Sequence, residues 1–227
     1  MPASHVIVVF AKYPVPGRVK TRLIGRLSPA EAAELYRACL ALTLECLDHV
    51  PDIATILAAS PDEADFSDTV GPNVHVVPQG PGHLGERMNR VIKDCFDDGY
   101  QRVVAIGGDC PGMRPSDVIE ALAQLENHDT VIGPAVDGGY YLLGLRRPAP
   151  ILFDSVAWGS DRVASQTRAI ARSAGLSMAE LPKRRDIDEY ADLVAIHDEL
   201  LDDDIRLRPF KRLVGRLLVK GDQRAGQ

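Results

Sequence analysis

The distribution of apolar residues constrains the fold of this chain most. Four short runs rich in β-branched residues lie between helical patterns, and none of them alternates apolar with polar side chains. Strands of this kind are usually buried on both faces, as in parallel sheets. The runs predict an α/β protein with three α/β/α layers around a doubly wound, mostly parallel sheet. They are His5–Phe10, Ile53–Ala59, Val74–Val77 and Val103–Ile106.

The segments between these runs carry helix signals. Ser28, Pro29 and Glu31 supply an N-cap, a proline at the first helical position and a capping-box acid, and apolar periodicity then continues to Leu47. No linker divides residues 1–204, which we expect to form one domain. Three further helices are predicted, over Leu84–Phe96, Pro115–Leu125 and Asp188–Leu201.

Composition and charge exclude several classes of protein. The 227 residues are 45% hydrophobic and carry a net charge of −6, which argues against a nucleic-acid-binding protein. The apolar run from Val6 to Ala11 is about a third of the ~18 residues that a membrane span needs, so no stable membrane insertion is expected. Four cysteines without a CxxC pair favour a reducing cytoplasm over a disulfide or zinc framework. A homo-oligomer is left open.

The end of the chain differs in charge from the rest. Residues 205–224 carry +6, so the remainder carries −12. Apolar residues recur there at helical spacing between the basic ones, which predicts that residues 205–227 form a basic amphipathic helix or tail. Such a helix can rest on an anionic membrane or a partner, but we expect it to pack on the acidic body of the protein.

The loop after the first strand concentrates positive charge. In a doubly wound sheet, ligands bind beyond the carboxyl ends of the strands. Lysine and arginine side chains around a Pro-Gly turn can neutralise a polyphosphate while glycine lets backbone N–H groups approach it. The alternative is an exposed basic turn that makes surface ion pairs. The candidate residues are Lys12, Gly17, Arg18, Lys20 and Arg22.

Asp109 follows the fourth strand directly, after Gly107 and Gly108. A carboxylate at this position is well placed to hold Mg²⁺ or Mn²⁺ against nucleotide phosphates, because hard divalent ions prefer oxygen ligands. The alternative is a turn aspartate that caps the next helix. Cys110 has no base beside it in sequence, which favours a buried thiol over a nucleophile.

Two further acidic segments are candidates. Asp137 precedes Gly138 and Gly139, a pattern typical of a hairpin turn, but it could also act on an acceptor as a base or hydrogen-bond partner. Asp186 and Asp188 precede the predicted fourth helix. Asp188 could be the N-cap of that helix, and Asp186 could face a metal ion.

In order along the chain, these motifs resemble the DUF2064 family, also called rSAM/selenodomain-associated transferase 1, of the GT-A or nucleotide-diphospho-sugar transferase superfamily. The likeness runs from about His5 to Leu200, and more distantly it extends to guanylyltransferases of the phospholactate type. It implies a GT-A, Rossmann-like fold. The stretches that carry it are FAKYPVPGRVKTRL, GGDCPG, GPAVDGGYYLLG, Trp158-Gly159-Ser160 and RDIDEYADL.

The resemblance also implies roles for individual residues. Gly17, Arg18, Lys20 and Arg22 would lie on the nucleotide phosphates. Asp109 would bind the metal ion together with Asp186 or Asp188, although the usual Asp-x-Asp of the superfamily is here a single aspartate after Gly108. The base would be recognised from the loop after the second strand and from the segment Gln79–Arg87, which includes Gly85.

The predicted activity is a metal-dependent transfer from a nucleotide-activated donor to a small-molecule acceptor. The resemblance favours a glycosyltransferase that uses a nucleotide sugar. The alternatives are a nucleotidyltransferase that uses an NTP and releases pyrophosphate, and a non-catalytic nucleotide-binding partner protein. Either reaction needs cations at the developing phosphate charge. The expected catalytic residues are Lys20, Asp109 and Asp137.

Overall fold

The structure is a computed structural model that describes residues 4–199 and 205–226. Within these residues the chain forms seven strands and six α-helices. The strands are β1 (His5–Lys12), β2 (Ile53–Ser60), β3 (Val74–Pro78), β4 (Arg102–Gly107), β5 (Thr130–Pro134), β6 (Tyr140–Leu145) and β7 (Met178–Glu180). The helices are α1 (Pro29–Asp48), α2 (Leu84–Asp97), α3 (Pro115–Gln124), α4 (Val163–Ser173), α5 (Tyr190–Glu199) and α6 (Leu207–Ala225).

The strands form one sheet in the order β3-β2-β1-β4-β6-β5-β7. All neighbours pair in parallel except β6, which runs antiparallel to both β4 and β5. The mostly parallel α/β fold predicted from the sequence is thus confirmed, and the hairpin between β5 and β6 supplies its antiparallel part. The helix predicted over Asp188–Leu201 begins at Tyr190, and positions 200 and 201 lie outside the described residues.

Burial of β1 on both faces explains its uninterrupted apolar run. Ile7 belongs to the same core as Leu40 of α1, whereas Val8 belongs to a second core with Ile92 of α2. Both strand residues are fully buried. The layer on each side of the sheet therefore needs its own apolar side chains from the same strand. β1 is therefore an interior strand, with its carboxyl end open to the loops beyond the sheet.

The capping box predicted at the start of α1 is present. The backbone N–H of Ser28 donates to Glu31 Oε2 at 2.8 Å, and the N–H of Glu31 donates to Ser28 Oγ at 3.3 Å. The same carboxylate also accepts from Arg224 of α6 at 2.6 Å and lies 3.1 Å from Lys220 Nζ. Glu31 therefore caps the start of α1 and forms ion pairs with two basic residues of α6.

Helix α6 packs on the body of the protein, on the side of α1 and α5. Its apolar stripe of Phe210, Val214 and Leu217 is buried in a third core. Arg216 pairs with Glu34 of α1 at 2.7 Å. The basic tail therefore contacts acidic groups of its own chain, as its charge predicted, although the predicted boundaries 204 and 227 lie outside the described residues. None of the described helices has the length and apolar character that crossing a membrane requires.

Candidate functional site

A cavity of about 570 Å³ opens at the carboxyl end of the sheet. The end of β1 and the loop after it form one side, and the residues after β4 form its floor. The first turns of α2, the turn between β5 and β6, the segment that follows β6 and the segment before α5 also line it. Ligands of doubly wound sheets bind at this edge, where the predicted loops converge.

Lys20 lies at the floor of this cavity, with only 5% of its side chain exposed. Its ammonium nitrogen is 2.9 Å from Asp109 Oδ2 and 2.9 Å from Asp188 Oδ1. The residue has a φ of 47° in the left-handed region, which side chains other than glycine rarely adopt. Burial acts to lower the pKa of Lys20, but the two carboxylates outweigh it and raise the pKa well above its usual value. Lys20 is therefore a charged clamp between two acidic loops.

Asp109 is held at the end of β4 by the clamp and by the backbone. Its carbonyl oxygen accepts a hydrogen bond from the N–H of Ile187 at 3.3 Å, which ties the β4 loop to the segment containing Asp186 and Asp188. The glycines before it serve close packing, because a Cβ on Gly108 would lie 3.0 Å from Leu40 Cδ1. Burial raises the pKa of the neighbouring Cys110 thiol well above its usual value, which fits a packed thiol rather than a nucleophile.

Three carboxylates form an acid cluster, which we define as Asp137, Asp186 and Asp188. One ligand oxygen from each lies within 4.8 Å of those of the other two. Oxygen atoms from carboxylates suit Mg²⁺ or Mn²⁺, so the donor set fits a divalent ion. In the structure Asp137 belongs to this cluster, whereas the sequence analysis predicted that it acts on the acceptor. Asp109 instead pairs with Lys20.

The turn between β5 and β6 fixes the position of Asp137. Asp137 Oδ1 accepts from the N–H of Gly139 at 2.8 Å, as expected for an aspartate in a tight turn. Gly138 has a φ of 92°, and a Cβ there would lie 2.0 Å from the carbonyl oxygen of Asp161. Only glycine fits that position, because both the conformation and the space exclude a side chain. Asp137 therefore both stabilises the hairpin turn and belongs to the acid cluster.

A backbone ladder carries the other two acids to the same point. The N–H of Arg184 donates to Pro134 O at 3.1 Å, and the N–H of Val136 donates to Arg184 O at 2.9 Å. The Arg184 guanidinium also makes two hydrogen bonds to the buried Asp117 carboxylate, at 3.1 and 2.8 Å. These contacts anchor the strand-like segment that leads into Asp186 and Asp188.

The pKa values of Asp186 and Asp188 are shifted in opposite directions. Burial raises the pKa of Asp186 to about 7, and the nearby charges of Asp137, Asp109 and Asp188 add to this effect. Burial acts in the same direction on Asp188, but the Lys20 ammonium outweighs it and holds the pKa of Asp188 below its usual value. Arg22 contributes at the rim, where Nη1 lies 3.4 Å from Asp188 Oδ2.

The remaining predicted phosphate ligands belong to the end of β1 and the loop after it. Lys12, Arg18 and Arg22 line the cavity, and 61% of the Arg22 side chain is exposed. Gly17 has a φ of 80° and forms the preceding turn, in which the N–H of Arg18 donates to Val15 O at 3.0 Å. Gly17 shapes this loop but is not among the described residues that line the cavity.

The segment predicted to recognise the base, Gln79–Arg87, contains residues that line the cavity and a glycine that packs behind its surface. Gln79 and Arg87 line the cavity. The Gln79 side-chain nitrogen donates to the carbonyl oxygens of Ala11 and Ala58, at 3.2 and 2.8 Å, so it braces the ends of β1 and β2. Gly85 packs directly against an indole ring, since a Cβ there would lie 2.4 Å from Trp158 Nε1.

Sequence reasoning gave no role to two aromatic residues that line this cavity, Tyr140 and Trp158. Their rings meet edge to face with centroids 6.4 Å apart. The signal available in the sequence was that Trp158 is the only tryptophan of the chain and precedes a Gly-Ser pair.

The chain matches a family described as uncharacterized protein conserved in bacteria, DUF2064, over residues 43–160, which is more than half of its length. The chain belongs to this family. A structure from Desulfovibrio desulfuricans G20, classed provisionally as a nucleotide-diphospho-sugar transferase, is 34% identical with a TM-score of 0.90 and covers 98% of each chain. The family and the fold predicted from the sequence are confirmed by these matches.

Two curated relatives are guanylyltransferases. The 3-phospho-D-glycerate guanylyltransferase of Phenylobacterium zucineum is 30% identical over 70% of this chain and 74% of its own length. The 2-phospho-L-lactate guanylyltransferase of Methanothermobacter thermautotrophicus is 28% identical over 57% of each chain. The chain spans about half the length of most of the curated relatives it matches. The solved relative is thus classed as a nucleotide-diphospho-sugar transferase, and the curated relatives are guanylyltransferases.

Proposed function

We propose that this protein is a metal-dependent nucleotidyltransferase that transfers a nucleotidyl group, guanylyl foremost, from an NTP to a phosphate-bearing acceptor. The observation that carries the proposal is the shared cavity of the acid cluster and the cationic loop. Lys12, Arg18 and Arg22 stand at one side of that cavity, and the acid cluster lies beyond the Lys20 clamp. A triphosphate needs cations along its chain and a divalent ion at the reacting phosphate.

The acid cluster supplies the ligands for Mg²⁺ or Mn²⁺ in this proposal. A bound divalent ion would neutralise charge on the reacting phosphates and orient them. Lys20 keeps Asp188 ionised and in position, since its ammonium donates to that carboxylate at 2.9 Å. Asp109, the other partner of Lys20, orients the clamp.

In this proposal, arginine side chains of the protein stabilise the leaving group. An oxygen of the acceptor phosphate attacks the α-phosphorus in line, a new P–O bond forms, and the bond from the α-phosphorus to the bridging oxygen breaks. Pyrophosphate leaves with that electron pair. Arg18 and Arg22 at the entrance are placed to bind the departing pyrophosphate through charge-assisted hydrogen bonds. A phosphate dianion needs no base, so the reaction requires none from the chain.

A second candidate is glycosyl transfer from a nucleotide sugar. It is favoured by the likeness to the provisionally classed nucleotide-diphospho-sugar transferase, which extends over 98% of both chains. The same cations would then bind a departing nucleoside diphosphate. The guanylyltransferase relatives favour the first candidate, because two of them are named for 2-phospho-L-lactate and 3-phospho-D-glycerate as acceptors.

The two candidates differ in the product that leaves. The protein is incubated with Mn²⁺, each NTP or nucleotide sugar in turn, and a panel of phosphorylated acceptors, and the released pyrophosphate and nucleoside diphosphate are measured separately. We expect pyrophosphate with GTP and an acceptor, lost in Asp137→Asn and retained in Asp94→Asn, an exposed residue of α2. Release of nucleoside diphosphate from a nucleotide sugar instead would favour the second candidate, and nucleotide binding without turnover would identify a non-catalytic partner protein.

A cytoplasmic location also belongs to this proposal. Cys39, Cys46, Cys95 and Cys110 are all buried thiols, as suits a reducing compartment.

A further inference from the structure

One wall of the cavity differs in character from the rest. We define the apolar wall as Leu84, Met88, Tyr140 and Trp158, all of which line the cavity that also contains the acid cluster. The residues come from the first turns of α2, the start of β6 and the segment after β6. Tyr140 lies edge to face with Trp158, and its hydroxyl donates to Met88 Sδ at 3.7 Å. The wall is therefore a connected surface.

The indole ring of Trp158 packs directly against the backbone of α2 at Gly85. Gly85 leaves room for the Trp158 indole against the first turn of α2, because a Cβ there would lie 2.4 Å from Nε1. At the outer edge, 45% of Leu84 is exposed. A large apolar side chain exposed at the rim of a cavity is typical of a binding site for an apolar group.

Polar groups near the wall are already engaged or enclosed. The Tyr140 hydroxyl is directed to a sulfur, and Ser160 Oγ donates to Ala157 O at 2.7 Å. Trp158 Nε1 is buried, with no hydrogen-bond partner among the described residues. A nucleotide base carries donors and acceptors along its edge that need partners. The wall suits an apolar group better than a base.

Positive charge lies mainly on another side of the cavity. Of the described lining residues, Lys12, Arg18, Lys20 and Arg22 belong to the segment from the end of β1 to the turn after it. Arg87 is the cation nearest in sequence to Leu84, and its Nε donates to Gly82 O at 2.7 Å. A ligand that spans the cavity therefore meets most of the cations at one end and the apolar side chains, with Arg87 beside them, at the other.

We propose that the apolar wall is the acceptor subsite and that the acceptor is a phosphate monoester with an apolar body. This inference rests on the proposed nucleotidyl transfer and names its acceptor class. The phosphate points toward the acid cluster and attacks the α-phosphorus, so that a P–O–P linkage forms and pyrophosphate leaves. The apolar body lies on Leu84, Met88 and Trp158. The small, highly polar 3-phospho-D-glycerate leaves this wall uncovered.

Trp158 is the only tryptophan of the chain, so its fluorescence reports occupancy of the wall without any turnover. In the presence of Mg²⁺, the intact protein is titrated with phenyl phosphate, hexyl phosphate, 3-phospho-D-glycerate and GTP, each in a separate experiment. We expect phenyl and hexyl phosphate to change the Trp158 emission and to bind on the order of tenfold more tightly than 3-phospho-D-glycerate. Pyrophosphate release with GTP should follow the same order.

Leu84→Gln tests the wall directly, and Ile119→Gln on α3 is its matched control, because both residues are 45% exposed and Ile119 lies outside the cavity lining. The first substitution should weaken phenyl phosphate binding by about five- to tenfold, and the second should leave it unchanged. Equal binding of phenyl phosphate and 3-phospho-D-glycerate would overturn the inference. So would a Trp158 response to GTP that phenyl phosphate competes away, since that would make the wall a base site. Failure of the proposed function is distinct, because it removes pyrophosphate release and leaves the fluorescence titration intact.

Discussion

The two halves of the acidic centre are neutralised in different ways. Asp109 and Asp188 share the Lys20 ammonium at 2.9 Å, and the pKa of Asp188 lies below its usual value. Asp137 and Asp186 complete the acid cluster with Asp188, and the pKa of Asp186 is raised to about 7. One half carries its own cation, and the other half is electrostatically suited to receive one.

The cost of burying charge explains this difference. A partly buried carboxylate without a cation is destabilised, and it responds by holding its proton. Folding tolerates such a residue when a ligand supplies the missing charge. The lysine half is therefore the permanent part of the site, and the half with Asp186 is the part that a divalent ion completes.

The largest expected effect separates the halves by metal affinity. Asp137→Asn removes a ligand from the acid cluster and should lower Mn²⁺ affinity by on the order of 10²-fold or more, because a charged oxygen donor is lost. Asp109→Asn removes a partner of Lys20 and should lower it far less. Isothermal titration of both variants with Mn²⁺ measures this directly. The opposite order would make Asp109 the primary ligand, as the sequence resemblance implied.

A smaller effect is expected from removal of the clamp. Lys20→Met leaves Asp109 and Asp188 without their shared cation, and the free energy of unfolding should fall by about 2 kcal/mol. Breaking a buried pair costs more than this, but each carboxylate is about a third exposed, which screens the loss. Lys12→Met, at an exposed lysine of the same cavity, is the control and should be nearly neutral. Equal urea midpoints for the two variants would show that the clamp contributes nothing to stability.

Much of the fold could be predicted because its signals are local. The capping box at Ser28 and the apolar run of β1 depend on neighbouring residues, and both are present as predicted. The hairpin turn at Asp137 was also predicted from its Asp-Gly pair. Such patterns act within a turn or a strand, so one sequence contains them in full.

Most of the charged residues that line the cavity were candidates from the sequence, but the way in which their side chains pair was not predicted. The sequence proposed Lys20 as a phosphate ligand and Asp109 as a metal ligand, whereas the structure joins these two side chains across 89 positions of the chain. It also brings Asp137 beside Asp186 through the backbone ladder at Arg184. These distances depend on the strand order, which no local pattern specifies. The role of Trp158 depends on the same long-range packing against Gly85.

The smallest expected effect concerns pH in metal-free buffer. The pKa of Asp186 is about 7 in the folded protein, above the ordinary value near 4 that the unfolded chain has, so the folded state binds more protons between these values. Stability should therefore fall as pH rises from about 4 to about 7. Asp186→Asn abolishes this contribution and should be more stable than the wild type at about pH 8, by on the order of 1–2 kcal/mol.

Asp188→Asn is the control, for which the opposite effect is expected. The pKa of Asp188 is lowered in the folded state, so its contribution is present above the unfolded value and lost at lower pH. That substitution should cost stability at about pH 8. Urea unfolding of both variants at two pH values measures the contrast, and a shift of the same sign in both would show that the two carboxylates share one environment.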